Sequence, residues 1–365
     1  MRKTSSLRVL TKKSFVCYLA VLLLFWNEML YPFIHSSLWD TLTEDDGLQA
    51  ARILIVADPQ LIGYQNELPF VGPIARLDSD RYLSLGFFYA LRHGRPDLII
   101  FLGDLFDEGV EGSDEEFEWT LERFDKIFAS YKSVQKVYVA GDNDIGGEGE
   151  RVIGWRKDRF ARRFPNILSM KDLGLRGVAM DEMNIFNGEL RNITVPSGED
   201  KLSIMLSHAP IIRNFGMGAR HAADRHSDLI LTAHDHTAWS YTRQRSGGSS
   251  FERVPIERGT VVEQTIGREQ PVLELQSPTC SYRMGVPDMG YGLLTLRRID
   301  DEADGTKLQV QARYTVLWLP GRYPQMCSYL VLVVWLMILA AHRVLYAGLR
   351  SIVLTRNKNV KQNIV

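Results

Sequence analysis

The sequence predicts an α/β sandwich, and three observations carry that expectation. Five short apolar runs, at residues 52–57, 98–102, 136–140, 202–206 and 228–233, are bounded by glycine or polar residues, as buried strands are. Helical stretches separate the first three runs, and strand–helix alternation of this kind builds layered α/β folds. Two longer apolar segments stand outside the alternation, one near each end.

The ends come first in chain order. Residues 15–34 read FVCYLAVLLLFWNEMLYPFI, about the 20 residues that a bilayer core requires. Arg2, Lys3, Arg8, Lys12 and Lys13 precede them with no acid among these residues. An uncleaved signal anchor is expected. A cleaved signal peptide is the competing reading, although its apolar stretch is usually shorter and no A-x-A-like site follows. The second segment, 326–346, opens near the aromatics Trp318, Tyr323 and Tyr329, with Arg343, Arg350, Arg356, Lys358 and Lys361 at and beyond its end. These flanks favour a second span over a buried core helix. The positive-inside rule then places the tails 1–14 and 347–365 in the cytosol and the body, 35–325, on the lumenal or extracellular side. Asn192-Ile193-Thr194, the body's glycosylation sequon, agrees with that side. Asn27 and Glu28 fall inside the first segment and are read as lying in headgroup water, with Tyr31 as an interfacial aromatic.

Within the body, residues 77–92 place apolar side chains around a helix. Residues 113–131 open on Ser113-Asp-Glu-Glu116, a capping-box pattern. Phe117, Leu121, Phe124, Phe128 and Tyr131 then form an apolar stripe. Residues 243–250, RQRSGGSS, read as a flexible loop. Apolar residues make up 45% of the 365-residue chain, enough for a core. With 43 basic and 44 acidic residues and no basic stripe in the middle, nucleic acid is not an expected partner. Cys17, Cys280 and Cys327 allow neither a disulfide framework nor a cysteine metal site in the body.

The chemistry sits where the runs end. In chain order these ends are Asp58-Pro-Gln60, Gly103-Asp-Leu-Phe-Asp107, Gly141-Asp-Asn-Asp144, Ser207-His208 and His234-Asp-His236. One aspartate after a strand is ordinary turn chemistry. Five metal-capable strand ends in one chain point instead to a site outside the carboxyl edge of a sheet. His234 and His236 share a face if extended, which favours joint ligation. Mixed aspartate and histidine donors suit Mn²⁺, Fe or Zn²⁺ better than Ca²⁺ or Mg²⁺. A pair of such ions clamps a phosphoryl group and lowers the pKa of a bound water.

These blocks resemble the calcineurin-like metallophosphoesterase superfamily, whose pattern is D-x-H, G-D-x-x-D, G-N-H-[DE], a lone H, and G-H-x-H. The resemblance covers about residues 52–240 and implies a β-sandwich flanked by helices around a binuclear centre. Carried over, it implies Asp58 and His236 on one metal, Asp142, His208 and His234 on the other, and Asp104 bridging, with Asp107 as support. Gln60 stands in place of a histidine and is at best a weak ligand. Asp142 stands in place of asparagine, Asn143 in place of the histidine that assists the leaving group, and Ala233 in place of glycine. A register using Asn143 as the ligand stays open. Within the superfamily the chain is most similar to the GPI-anchor-remodelling branch, through Asp58-Pro-Gln-Leu-Ile-Gly63, the run 103–109 and Tyr282-Arg-Met-Gly285. That branch implies Mn²⁺, GPI-anchored proteins as partners, removal of an ethanolamine-phosphate side branch, and an early secretory location.

The departures make the site up to two charges more negative, which disfavours phosphomonoester dianions and favours diesters. They also leave the proton donor open between His221 and His226, with Arg220 and Arg225 expected to hold phosphate oxygens. A metal-binding scaffold that has lost catalysis is the alternative.

Overall fold

In a computed structural model, the structure describes residues 15–42, 50–129, 134–148, 151–165, 178–182, 202–214, 223, 227–245, 250–299 and 308–362. The chain divides into two units, residues 32–320 and the paired ends 1–31 and 321–365.

The body is a two-sheet sandwich. The first sheet contains β1 (Ala50–Val56), β2 (Leu98–Leu102), β3 (Gln135–Val139), β9 (Val262–Ile266), β11 (Gly290–Arg298) and β12 (Val310–Trp318), in the order β3-β2-β1-β11-β12-β9. The second contains β4 (Val178–Glu182), β5 (Leu202–Leu206), β6 (Leu229–Thr232), β7 (Trp239–Arg243), β8 (Glu252–Pro255) and β10 (Val272–Gln276), in the order β4-β5-β6-β10-β7-β8. Strands β2, β5 and β6 read as near-continuous apolar runs because both faces are buried. In β1, Ile53 and Ile55 face the inter-sheet core with Ile204, Leu231 and Leu275. Leu54 and Val56 face the helical layer with Leu83, Phe87 and Phe124. Parallel pairing of β1, β2 and β3, and of β5 with β6, brings their carboxyl ends to one edge.

The two long body helices are α2 (Gly72–Gly94) and α3 (Asp114–Ile127), after the N-terminal helix α1 described below. Helix α2 starts five residues before the expected 77 because Pro73 is tolerated in a first helical turn. Helix α3 has the expected cap: Ser113 accepts from the Glu116 N–H, and the Glu116 carboxylate accepts from the Ser113 N–H. Its stripe packs as read at Phe117, Phe124 and Phe128, while Tyr131 lies outside the described residues. The expected loop at 243–250 is corrected at its start. Arg243 ends β7 and is buried, and Arg245 pairs with the buried Asp228 at 2.5 Å.

The other unit holds most of α1 (Phe15–Ser37) and, after the short body helix α4 (Gly154–Arg163), the long α5 (Tyr323–Gln362). Phe15–Ser37 and Tyr323–Ser351 are each long and apolar enough to cross a membrane. Residues Trp26–Leu30 of α1 form a π-helical turn carrying Asn27 and Glu28. Both of these residues, expected at headgroup depth, have partners in the second apolar segment or just before it. Asn27 is buried and donates from Nδ2 to Ser328 Oγ at 2.8 Å, while Glu28 pairs with Arg322 at 2.9 Å and accepts from the Tyr329 hydroxyl. Removing one member of a desolvated ion pair strands the other. Arg322→Ala is therefore expected to destabilise the α1–α5 pair by about 2–3 kcal/mol. Adding Glu28→Leu should restore most of the loss, read as the melting temperature in detergent.

Candidate metal centre

The five strand ends meet at one edge of the sandwich. At each of the β1, β2 and β6 ends the chain turns back through a left-handed residue. Asp58 (φ 45°), Gln60 (39°), Asp104 (51°), His234 (73°) and His236 (62°) all have positive φ, and among the described non-glycine residues only Arg95 joins them. Such conformations cost about 1–3 kcal/mol each and persist where the surroundings enforce them. Here they point ligand-capable side chains back over the strand ends. Close approach also explains the glycines before the aspartates. A Cβ on Gly103 would strike the His208 ring, and one on Gly141 would strike the Asp104 carboxylate and N–H.

Two groups of donors lie within metal-binding reach, Asp58/Asp104/His208 and Asp142/His208/His234. His208 Nε2 is 3.1 Å from Asp142 Oδ1, 3.5 Å from Asp104 Oδ1 and 3.9 Å from Asp58 Oδ1. His234 Nδ1 is 3.2 Å from Asp142 Oδ1. His236 Nε2 lies 4.0 Å from Asp58 Oδ1. His208 Nδ1 sits 2.7 Å from the Leu102 carbonyl, which only accepts, so Nδ1 carries a proton and Nε2 is the atom turned to the aspartates. Of the two registers at block three, Asp142 places its carboxylate among the donors. Asn143 instead donates to Asp104, from its N–H to Oδ1 at 3.0 Å and from Nδ2 to Oδ2 at 3.2 Å. Gln60 Nε2 also donates to Asp104 Oδ2, at 3.0 Å, and lies 3.3 Å from His236 Nε2. His221, His226, Arg220, Arg225 and Asn192 lie outside the described residues.

The donor set fits divalent ions. Asp58 is fully buried, and its Oδ1 has no hydrogen-bond partner although it faces two imidazoles. Among the described residues no lysine or arginine pairs with Asp58, Asp104 or Asp142. Burial pushes the Asp58 and Asp104 carboxyls upward, against the charge of His208, which pulls both down. Burial acts against protonated His208, but Asp104, Asp142 and Asp58 outweigh it and raise its pKa to about 10. For Asp142 burial acts upward, but hydrogen bonds with His208 and His234 hold it below the usual carboxylate range. Burial, then the charge of His234, lowers His236, which favours its neutral ring.

Several residues that the sequence reading left without a role hold this arrangement. Asp144 is buried and accepts from the N–H groups of Leu105, Phe106 and Gly141 at 2.9–3.2 Å, tying the second block to the third. Glu274 accepts from Ile211, Ile212 and Thr232 at 2.7–3.1 Å and fixes the turn after His208. Glu148 Oε2 lies 3.3 Å from His234 Nε2, opposite its ligand nitrogen. Thr279 donates to the Asp58 carbonyl at 2.7 Å. Asp107, expected as support, gives its N–H to the Leu61 carbonyl at 3.0 Å.

A family model, Calcineurin-like phosphoesterase, matches residues 51–238, a span that begins in β1 and ends just beyond His236. The chain belongs to this family. The phosphoesterase chain is 28% identical over 247 residues to Cell division control protein 1 of Saccharomyces cerevisiae, covering 63% of this chain and 46% of that one. It is 30% identical over 131 residues to Metallophosphoesterase 1 of Ailuropoda melanoleuca, covering 36% and 30%. The chain thus spans less than half the length of these curated relatives. Calcineurin-like phosphoesterase YfkN of Bacillus subtilis aligns with a TM-score of 0.37 at 12% identity, over 74% of this chain and 92% of that one.

Two outcomes are expected. A Cβ at 141 displaces the Asp104 carboxylate, so Gly141→Ala should weaken Mn²⁺ binding by about 10–100-fold in calorimetry. Ion binding must also expel the protons that Asp58 and His208 hold in the free site. Groups that lose protons on binding make affinity rise with pH. Affinity should therefore climb between about pH 6 and 8, with about one to two protons released in buffers of different ionisation heat.

Proposed function

We propose that this phosphoesterase is a two-metal phosphodiesterase, anchored by two spans, that acts on a diester carried by a membrane-bound glycolipid. Asp58 and His236, with Gln60 beside them, would hold one ion, and Asp142, His208 and His234 the other. The family resemblance implies that Asp104 would serve both ions, as a carboxylate with two oxygens can. Bound there, the ions would supply charge neutralisation for a phosphoryl oxygen and activation of the attacking water.

The remaining steps fall to the chain. Asn143 keeps both Asp104 oxygens oriented, through its N–H and its side-chain amide. The Leu102 carbonyl fixes the His208 tautomer. His221 or His226, in the segment that leads into β6, protonates the departing alkoxide, and Arg220 and Arg225 hold the phosphate oxygens.

The single observation that carries the diester preference is Asp142. Its carboxylate, 3.1–3.2 Å from two imidazoles, adds a negative charge where the family pattern has a neutral amide. A monoanion is repelled less than a dianion. The finer reading rests on the motif runs that resemble the GPI-anchor-remodelling branch: Mn²⁺ as the metal, an ethanolamine-phosphate branch on a GPI mannose as substrate, GPI-anchored proteins as partners, and an early secretory, multi-pass location with the body lumenal. One observation favours the scaffold alternative. Two amides, from Gln60 and Asn143, already satisfy Asp104 Oδ2.

Turnover by the full-length protein with Mn²⁺ decides between them. Wild type is expected to cleave a chromogenic diester at least about tenfold faster than the matching monoester, and Asp104→Asn should lower turnover by about 100-fold or more. Equal background in both proteins would leave the scaffold reading. A monoester preference would remove the diester assignment.

A further inference from the structure

The residues between the first ligand loop and α2 carry an apolar surface that the metal chemistry does not use. Leu68, Phe70, Val71, Ile74 and Leu77 are 51–92% exposed, with Phe70 the most exposed. Soluble surfaces rarely leave so many large apolar side chains contiguous without a use. The acids nearby are turned away from this face. Glu67 is paired with Arg283, Asp78 accepts from the Tyr282 hydroxyl, and Asp80 holds Arg123 in a two-point ion pair. Exposed Arg81 follows Leu77 by four residues and Ile74 by seven, and exposed Arg92 follows about three helical turns later, giving an apolar row with basic residues beside it.

The surface is firmly held. The buried Glu108 carboxylate accepts from the N–H groups of Tyr64, Gln65 and Asn66 at 2.7–2.8 Å. Glu108 follows Asp104 by four residues, and Tyr64 follows Gln60 by four. The apolar face and the metal centre are thus two ends of the same pair of short loops.

The C-terminal half of α2 meets both chain segments that adjoin the apolar helices. Tyr89 packs on Phe33 with ring centroids 6.5 Å apart, and His93 packs on Trp39 at 5.5 Å. Tyr82 donates to the Pro320 carbonyl at 2.9 Å, and Leu319 lies against Gly86. Trp39 donates to the Trp318 carbonyl at 2.7 Å, locking the two segments together.

We propose that the face formed by Leu68, Phe70, Val71, Ile74 and Leu77 docks on the surface of the lipid bilayer. The bilayer is the occupant because α2 carries both junctions to the spanning helices. A surface on that helix meets lipid at a high effective concentration throughout the life of the protein. An apolar row edged by arginines also matches the interface, where apolar side chains enter about 5–10 Å and cations meet headgroups. Docking fixes the height of the metal centre above the lipid and restricts it to diesters held near the headgroups. The inference rests on the membrane-anchored reading of the proposed function but not on its chemistry.

Full-length protein in phosphatidylcholine vesicles tests it, in a background with Cys17→Ser and Cys327→Ser, since Cys280 is buried. A polarity-sensitive fluorophore is placed at Phe70→Cys or, as a control in β8, at Val254→Cys; both positions are exposed. Lipids carrying a nitroxide in the upper acyl chain should quench the label at 70 by about twofold and leave the one at 254 unchanged. An unquenched label at 70, including one shielded by a second copy or a protein partner, overturns the proposal, as does equal quenching at both positions. Phe70→Ser combined with Ile74→Ser should lower kcat/KM on a lipid-linked diester by about tenfold and leave a soluble diester unaffected. An inactive protein with a quenched label would fail the enzymatic reading alone.

Discussion

The burial of Asp58 and Asp104 beside the half-buried Asp142 at one edge of the sandwich, with no lysine or arginine among the described residues to balance them, is the constraint that organises this molecule. An ionised carboxylate out of water is costly unless a cation meets it. Imidazoles meet part of that demand, and divalent ions are suited to meet the rest. The left-handed turns, the two glycines and the buried Asp144 and Glu274 are consequences. Each keeps negative oxygens converged where a relaxed chain would spread them apart. A fold stabilised chiefly by its two apolar layers can hold such a site at its edge, because parallel strands deliver the residues after β1, β2, β3, β5 and β6 to one place.

Much of this was legible in the sequence, because an unbroken apolar run that ends in Asp or His is a local pattern. Strands β1, β2, β3, β5 and β6 and the ligand candidates that follow them could be read that way. Strands β7 to β12 could not. Trp239–Arg243 and Val262–Ile266 alternate with Ser, Thr, Glu and Gln, and their burial depends on partners far along the chain. Val310–Trp318 alternates buried and half-buried residues only as far as Tyr314, beyond which every residue is buried. Asp144 and Glu108 look like ordinary loop acids. Their role lies in the backbone N–H groups they satisfy, and the geometry of a turn is invisible until the turn is built. The surroundings of Asn27 and Glu28 were hidden for a related reason, because their partners are 301 positions away.

The exchange at residues 142 and 143 shows how a family pattern can vary while its geometry persists. The carboxylate occupies the position among the imidazoles, and the neighbouring amide turns inward to hold Asp104. The fold tolerates this because Asp144 fixes the turn independently of its two predecessors.

The π-helical turn in α1 has a consequence for biosynthesis. It carries polar groups whose partners Ser328, Arg322 and Tyr329 emerge from the ribosome only after the whole body has been made. A separation of 301 residues corresponds to about 15–60 s of translation at about 5–20 residues per second. Throughout that interval Asn27 and Glu28 have no intramolecular partner from α5. The first helix of the nascent chain thus depends on water or on the insertion machinery until the last helix arrives, and its final seating becomes one of the closing events of assembly.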